Sequence, residues 1–483
     1  MKNIFIIALV TLLAAVSCTK DWEDMNVSPN SPDDVPMTNL LANSIVYTGD
    51  QFFDDWQGMN NFLSYSGHIT KIAYIDEARY SYRPNVVNDV FRDYYRVQLD
   101  LSKMITKAQE AGKPYTEAAA LTFSVFLWQM AVDQWGDIPY TQALQAESEE
   151  ENLTPAYDKA SDIYADLFVK LEKANTLFNE PVNEANPDLI GDGDFIYGSD
   201  QVKWQKFCNS LRLRMAMRTQ NQAEFTKVTG SSTAPVFESI DDEAKLKWQG
   251  TAPYKEPWAE NHEGRDDHGM AKTFIDMLLS LSDPRLPVYA LPNETDGEYV
   301  GAPEGANNGD FQVNDISRIG PMYRDNAAGY SYFLRYAEVE FLLAEGALLG
   351  WGGDAQTYYE TGVAAVFEET GMSDSLASYM AKPEVVWGDE SVYTNQEKIW
   401  LQKWIALFKQ GQELWAENRR TDFPVMEMSV GSVYPGHNRQ PFRYPYPDNE
   451  FNLNGSNIAG PASVVDDHFW GEQLFWDKRT GVH

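Results

Sequence analysis

Asp194-Phe-Ile-Tyr-Gly-Ser-Asp-Gln-Val-Lys-Trp204-Gln-Lys-Phe207-Cys208-Asn-Ser-Leu211-Arg212-Leu213-Arg214-Met215-Ala-Met217-Arg218 is the stretch on which the fold turns. Ser199 or Asp200 is a cap for a helix of good helix formers. At about 100° per residue, Trp204, Phe207, Cys208, Leu211 and Met215 share one face, and Arg218 joins them. Leu213 and Met217 fall nearly opposite. A helix apolar on two sides belongs inside a multi-helix stack. Arg218 on an apolar face predicts a buried, paired guanidinium, with Asp133 or Asp137 of the preceding hairpins as partner.

Outward from this helix, the chain repeats the idea. Residues 37–75 carry a long helical pattern, broken near Gly49 and Gly58. Tyr74 to Tyr82 is aromatic and predicted to be extended. Residues 85–111 are helical, with Val87, Phe91, Tyr94, Tyr95 and Leu99 facing inward. The strongly apolar helix 116–134 stops at Trp135-Gly136-Asp137-Ile138-Pro139-Tyr140, where Gly136 and Pro139 set a turn. Thr154-Pro155 is read as the cap of the next helix. Helices starting near 116, 156 and 201 lie 40 and 45 residues apart, which suggests stacked helical hairpins. Residues 334–345 and 354–369 form another pair around Trp351-Gly-Gly353. Residues 396–412 are a further helix, predicted to continue through Glu413 and end at Pro424.

Between these helices, residues 220–270, 282–332 and 424–463 are rich in Gly, Pro, Asn and Asp. They also carry Tyr, Trp, Arg and His, which argues against plain disorder. The segment Ala252-Pro-Tyr254-Lys-Glu-Pro-Trp258-Ala-Glu-Asn-His262-Glu-Gly-Arg265-Asp266-Asp267-His268 gathers rings and polar groups in one irregular stretch. Exposed rings stack on sugars, and polar side chains bind hydroxyls. Trp258 and Tyr254, with Tyr80 opposite, are the predicted stacking rings. Tyr74, His262, Arg265 and Asp266 complete the predicted ligand set. Tyr82, Tyr330 and Tyr332 are further candidates, and Arg265-Asp266-Asp267 also reads as an ion pair fixing its loop.

No enzyme signature is present: no Gly-x-Ser-x-Gly, no phosphate-binding glycine loop with its Lys, no His-Glu-x-x-His. No catalytic residue, metal or cofactor is assigned; turn and cap chemistry accounts for Asp192-Gly-Asp194 and for the His262–His268 segment. The net charge is −34, which repels phosphate backbones and excludes nucleic acid as a partner. The chain begins with a basic Met1-Lys2-Asn3 and an apolar run from Ile4 to Val16, too short to span a bilayer. Ala15-Val16-Ser17-Cys18 resembles a bacterial lipobox, so residues 1–17 are predicted to be a signal peptide and Cys18 the lipidated residue of a tether, 18–36. That leaves Cys208 without a disulfide partner, as a buried thiol on the central helix.

Trp204-x-Lys206-Phe207-x-Asn209-Ser210-Leu211-Arg212-Leu213-Arg214-x-Ala216-x-Arg218 resembles the signature helix of the SusD/RagB family of outer-membrane nutrient-binding lipoproteins. The Gly136-Asp137-x-Pro139-Tyr140 turn, the tetratricopeptide-like hairpins, the helix ending at Pro424 and the Arg439-Gln-Pro-Phe-Arg443-Tyr-Pro-Tyr-Pro447 segment match it in order. The resemblance covers nearly the whole chain. It implies an all-α dominated fold, a single SusD-like domain over 37–483 with a tetratricopeptide-like hairpin scaffold, long irregular loops and a few short strands. It further implies a cell-surface protein, lipid-anchored in the outer membrane, that captures glycans or oligosaccharides and hands them to a SusC-like TonB-dependent β-barrel transporter without breaking bonds. Peptide capture is an alternative, since some relatives bind peptides. A surface glycosidase and a helical scaffold for a protein partner are readings from other classes.

Overall fold

A computed structural model describes residues 35–146, 152–181, 183–307 and 309–483. The predicted signal peptide and Cys18 lie outside the described residues. Among the described residues, nine helices carry the scaffold: α1 (Met37–Gln51), α2 (Pro84–Glu110), α3 (Pro114–Trp135), α4 (Ala160–Phe178), α5 (Gln201–Arg218), α6 (Tyr336–Leu348), α7 (Ala355–Glu369), α8 (Asn395–Ala406) and α9 (Gly411–Thr421). Strands among the described residues are short and pair antiparallel in twos, as in Ile69–Lys71 with His268–Met270 and Ala244–Lys247 with Tyr330–Leu334. The fold is the helical-hairpin architecture expected from the sequence. Sequence neighbours pack on one another, α2 on α3, α3 on α4, α4 on α5 and α6 on α7.

The central helix α5 is buried on every side from Phe207 onward. Asp200 is its cap, accepting from Val202 N at 3.0 Å and Lys203 N at 3.1 Å. In the preceding turn the Asp194 carboxylate accepts from the amides of Ile196, Tyr197 and Ser199 and from the Trp204 indole. This is the turn chemistry read for Asp192-Gly-Asp194. Burial pushes the Cys208 thiol up to about 12, so it stays a protonated packing group.

Arg218 is fully buried and paired as expected. Its guanidinium meets Asp133 of α3 at 3.0 Å, Glu417 of α9 at 3.3 Å, and Glu413. Asp137 is not a partner; it pairs with Lys159 and accepts from Ala160 N at 2.9 Å. That contact caps α4 from a distance. It corrects the expectation that Thr154-Pro155 caps this helix: they precede the strand Tyr157–Asp158, which pairs with Ile138–Pro139. Two other boundaries differ. Tyr74 to Tyr82 is not extended but folds through a 3₁₀ turn at Glu77–Arg79, flanked by left-handed Tyr74 and Tyr80. The helix predicted from 396 to 424 is two, α8 and α9, separated at Leu407–Gln410.

His68 is fully buried among Phe274, Trp404 and Phe408, and burial holds its pKa well below the ordinary 6.5. Below pH 6.5 the unfolded chain binds a proton at this position that the folded chain refuses. The histidine's contribution is therefore intact above 6.5 and is lost as the pH falls. His68→Phe should remove this dependence. Urea unfolding of variant and wild type is expected to diverge below pH 6.5 by about 1.4 kcal/mol per pH unit. A difference that stays flat to pH 5 would mean that the folded chain protonates His68 readily.

Candidate binding cleft

Beside α2, the segments 54–63, 71–86 and Arg265 enclose a cleft of about 550 Å³. Three aromatic residues line it: Trp56, 39% exposed, Tyr74, 69% exposed, and half-buried Tyr82. Trp56 belongs to a π-helix, Asp55–Leu63, capped by Asp54, whose carboxylate accepts from Gln57 N at 2.7 Å. Left-handed Tyr74 projects its ring outward, with the Arg265 guanidinium 5.2 Å from the ring centre. Tyr82 is fixed by a 2.7 Å hydrogen bond to Asp448 and by His468, stacked at 4.2 Å and 5°.

Polar groups of both kinds line the cleft. Arg83 donates to Asp76 and Glu77, both at 2.9 Å. Lys71 is buried, 3.6 Å from Asp267, and burial lowers its pKa despite that carboxylate. Asn60 accepts a 2.6 Å contact from His268, whose pKa burial, Lys71 and Arg265 depress. Burial raises the carboxyl of Asp55. Rings beside ion-paired and hydrogen-bonded polar groups suit a neutral, hydroxyl-rich ligand: apolar sugar faces stack on rings, and hydroxyls take either hydrogen-bond role.

Residues 29–447 match the family model described as SusD-like, "Starch-binding associating with outer membrane". The chain belongs to this SusD-like family. A chitin-binding SusD homolog from Flavobacterium johnsoniae superposes with a TM-score of 0.79 at 23% identity, over 91% of this chain and 98% of that one. A SusD homolog from Parabacteroides distasonis gives 0.81 at 22% identity, over 92% and 98%. A SusD-like protein from Bacteroides thetaiotaomicron gives 0.78 at 25% identity, over 92% and 99%. No curated protein sequence matches the chain.

On this SusD-like scaffold the predicted ligand residues scatter. Tyr74 and Arg265 line the cleft together. Trp258 does not: it starts a short helix, Pro257–Gly264, is 1% exposed, and donates from its indole to Phe53 O at 3.0 Å. Pro257 at the first helical position makes helix from what reads as loop, and turns the indole inward. Tyr80 is 3% exposed, packed between Tyr65 and Trp470, with its hydroxyl accepting from Ser429 N. Both rings are core, so the predicted Trp258–Tyr80 stacking pair is corrected. Tyr254 is 45% exposed but faces a separate groove with Phe195 and Trp248. His262 sits between Asp266 and Asp325, and Asp266 pairs with Arg318 at 3.0 Å. Arg265 pairs with Asp267 at 2.6 Å, the loop-fixing ion pair read from the triplet. Trp56, Asn60, Lys71 and Arg83 were missed. Trp56 follows two aspartates, Asp54 and Asp55, a polar cluster that signals exposure within an otherwise apolar stretch.

Proposed function

We propose that this protein captures a glycan or oligosaccharide in the cleft between Trp56, Tyr74 and Tyr82 and hands it, uncleaved, to a SusC-like TonB-dependent transporter in the outer membrane. The single observation that carries this reading is the three rings around fixed polar groups. The chitin-binding relative supports the ligand class, and the family supports the membrane. Asp76 and Glu77 are both held as ion-pair partners of Arg83, a poor setting for a general acid, so a hydrolytic reading would have to use Asp55, whose carboxyl burial raises. Reducing-end release on a glycan panel separates capture from hydrolysis. The anchor is Cys18, supported by the small residues before it; acyl labelling lost in Cys18→Ala would establish it, and unchanged labelling would refute it.

Shallow stacking with release to a partner favours affinities on the order of micromolar to millimolar. Rings dominate such sites, so Trp56→Ala and Tyr74→Ala should each weaken binding by roughly 2 kcal/mol, about thirtyfold. Calorimetric titration against chitin, starch and peptide oligomers measures this. Wild-type affinity in both variants would move the site elsewhere, and binding of peptides alone would favour peptide capture.

A further inference from the structure

We propose that His437, Asp466 and Asp467 form a binding site for a divalent transition-metal ion of the zinc class. The two aspartates sit in a tight antiparallel hairpin in which Asp466 faces Trp470. Successive side chains on a regular strand point to opposite faces. Here Asp467 and His468 adopt left-handed φ of 44° and 67°, and both carboxylates come to the same atom. His437 Nε2 lies 3.0 Å from Asp467 Oδ2 and 4.0 Å from Asp466 Oδ2.

One ligand atom from each residue falls within 4.8 Å of the other two. Bonds of about 2.0–2.2 Å to a tetrahedral ion place neighbouring ligand atoms about 3.4 Å apart. The two nitrogen–oxygen distances, 3.0 and 4.0 Å, straddle that value, and the ligand atoms all lie within 4.8 Å of one another, so a rotation of the exposed Asp466 side chain that moves its oxygen by roughly an ångström seats the ion. Three protein ligands leave a fourth position for water, as in open zinc sites. Two carboxylates neutralise the ion's charge.

The imidazole is held in place. Its ring lies flat on Trp470, with centres 4.1 Å apart and planes at 6°, and its side chain is only 7% exposed. The aspartates are exposed, which gives the ion a path in. His262 provides the contrast. Its two carboxylate neighbours, Asp266 and Asp325, each at 3.7 Å, lie against opposite ring nitrogens, where one ion cannot reach both. A nitrogen ligand with only two carboxylates favours zinc, nickel or copper over calcium, which takes six to eight oxygens. The same turn stacks His468 on Tyr82, so an ion here also steadies one wall of the cleft.

Calorimetric titration of the tag-free full chain with Zn²⁺, and separately with Ca²⁺, tests the site. One saturable Zn²⁺ per chain is expected, with no comparable Ca²⁺ binding. His437→Gln and Asp466→Asn should each weaken Zn²⁺ binding by about tenfold or more. Asp466 is exposed, so its variant decides the matter if His437→Gln fails to fold. Absence of saturable Zn²⁺ binding below about 1 mM, or one-to-one binding unchanged in Asp466→Asn, overturns the proposal.

Discussion

Arg218→Ala is expected to lower the unfolding free energy by about 3–5 kcal/mol, the loss typical when one partner of a buried ion pair is removed. The guanidinium is wholly inside the protein, and burial opposes its charge. Glu413, Asp133 and Glu417 nevertheless hold its pKa well above the ordinary value. Alanine leaves those three acids facing one another with less positive charge between them. Arg214, one turn earlier on α5, pairs with Glu338 at 2.6 Å and lies 3.5 Å from Glu413, and Lys403 meets Glu417 at 2.9 Å, so part of the charge remains. The network joins α3, α5, α6, α8 and α9, so the loss should appear as one cooperative shift. Chemical denaturation of the variant at pH 7 measures it. A midpoint within error of wild type would show that the acids protonate or rearrange at little cost. Replacement by methionine fills the volume but strands the same acids, so a result nearer wild type than alanine would assign that part of the loss to the cavity, and equal losses would assign it to the unpaired charge.

The scaffold was legible because burial on two sides writes itself into composition. Trp204, Phe207, Leu211, Leu213, Met215 and Met217 leave α5 no solvent face beyond its first turns, and from Phe207 onward the structure gives it none. Arg218 was legible for the same reason, since a charge on such a face needs partners. The break between α8 and α9 was not. Its cause is tertiary: Arg335 donates to the carbonyls of Ala406 and Phe408, and left-handed Lys409 reaches the buried Glu256 at 2.9 Å. Those partners come from segments about 70 and 150 residues away, beyond any local pattern. Trp56 was hidden by geometry of another kind. A period of 3.6 residues assigns faces wrongly in a π-helix, where each turn holds more residues. The cleft lining was half legible: Tyr74, Tyr82 and Arg265 were named by residue type alone, whereas Trp258 and Tyr80 show that ring type says nothing about exposure.

Trp258→Ala supplies the complementary result. A loop ring that stacks on sugar would lose binding and keep its stability; a core ring should do the reverse. Trp258 packs edge-on against Phe408, carries the Lys409 ammonium 5.1 Å from its ring centre, and spends its indole N–H on Phe53. Truncation removes a large buried side chain, leaves a cavity, and strands a carbonyl. A loss of about 3–5 kcal/mol is expected. The fraction that remains folded should bind glycan with wild-type affinity, because the indole does not line the cleft. Trp56→Ala should show the opposite pair of outcomes, weakened binding with an almost unchanged melt, since its ring already meets solvent. Measuring melt and affinity on both variants gives four numbers, and the reading requires them to cross. If Trp258→Ala weakens binding while melting like wild type, the ring turns outward when ligand arrives, and the site extends to the Pro257–Gly264 helix. If both variants lose stability and neither loses affinity, the cleft is a surface feature and the stacking rings lie elsewhere, with the Tyr254–Phe195 groove the next place to test.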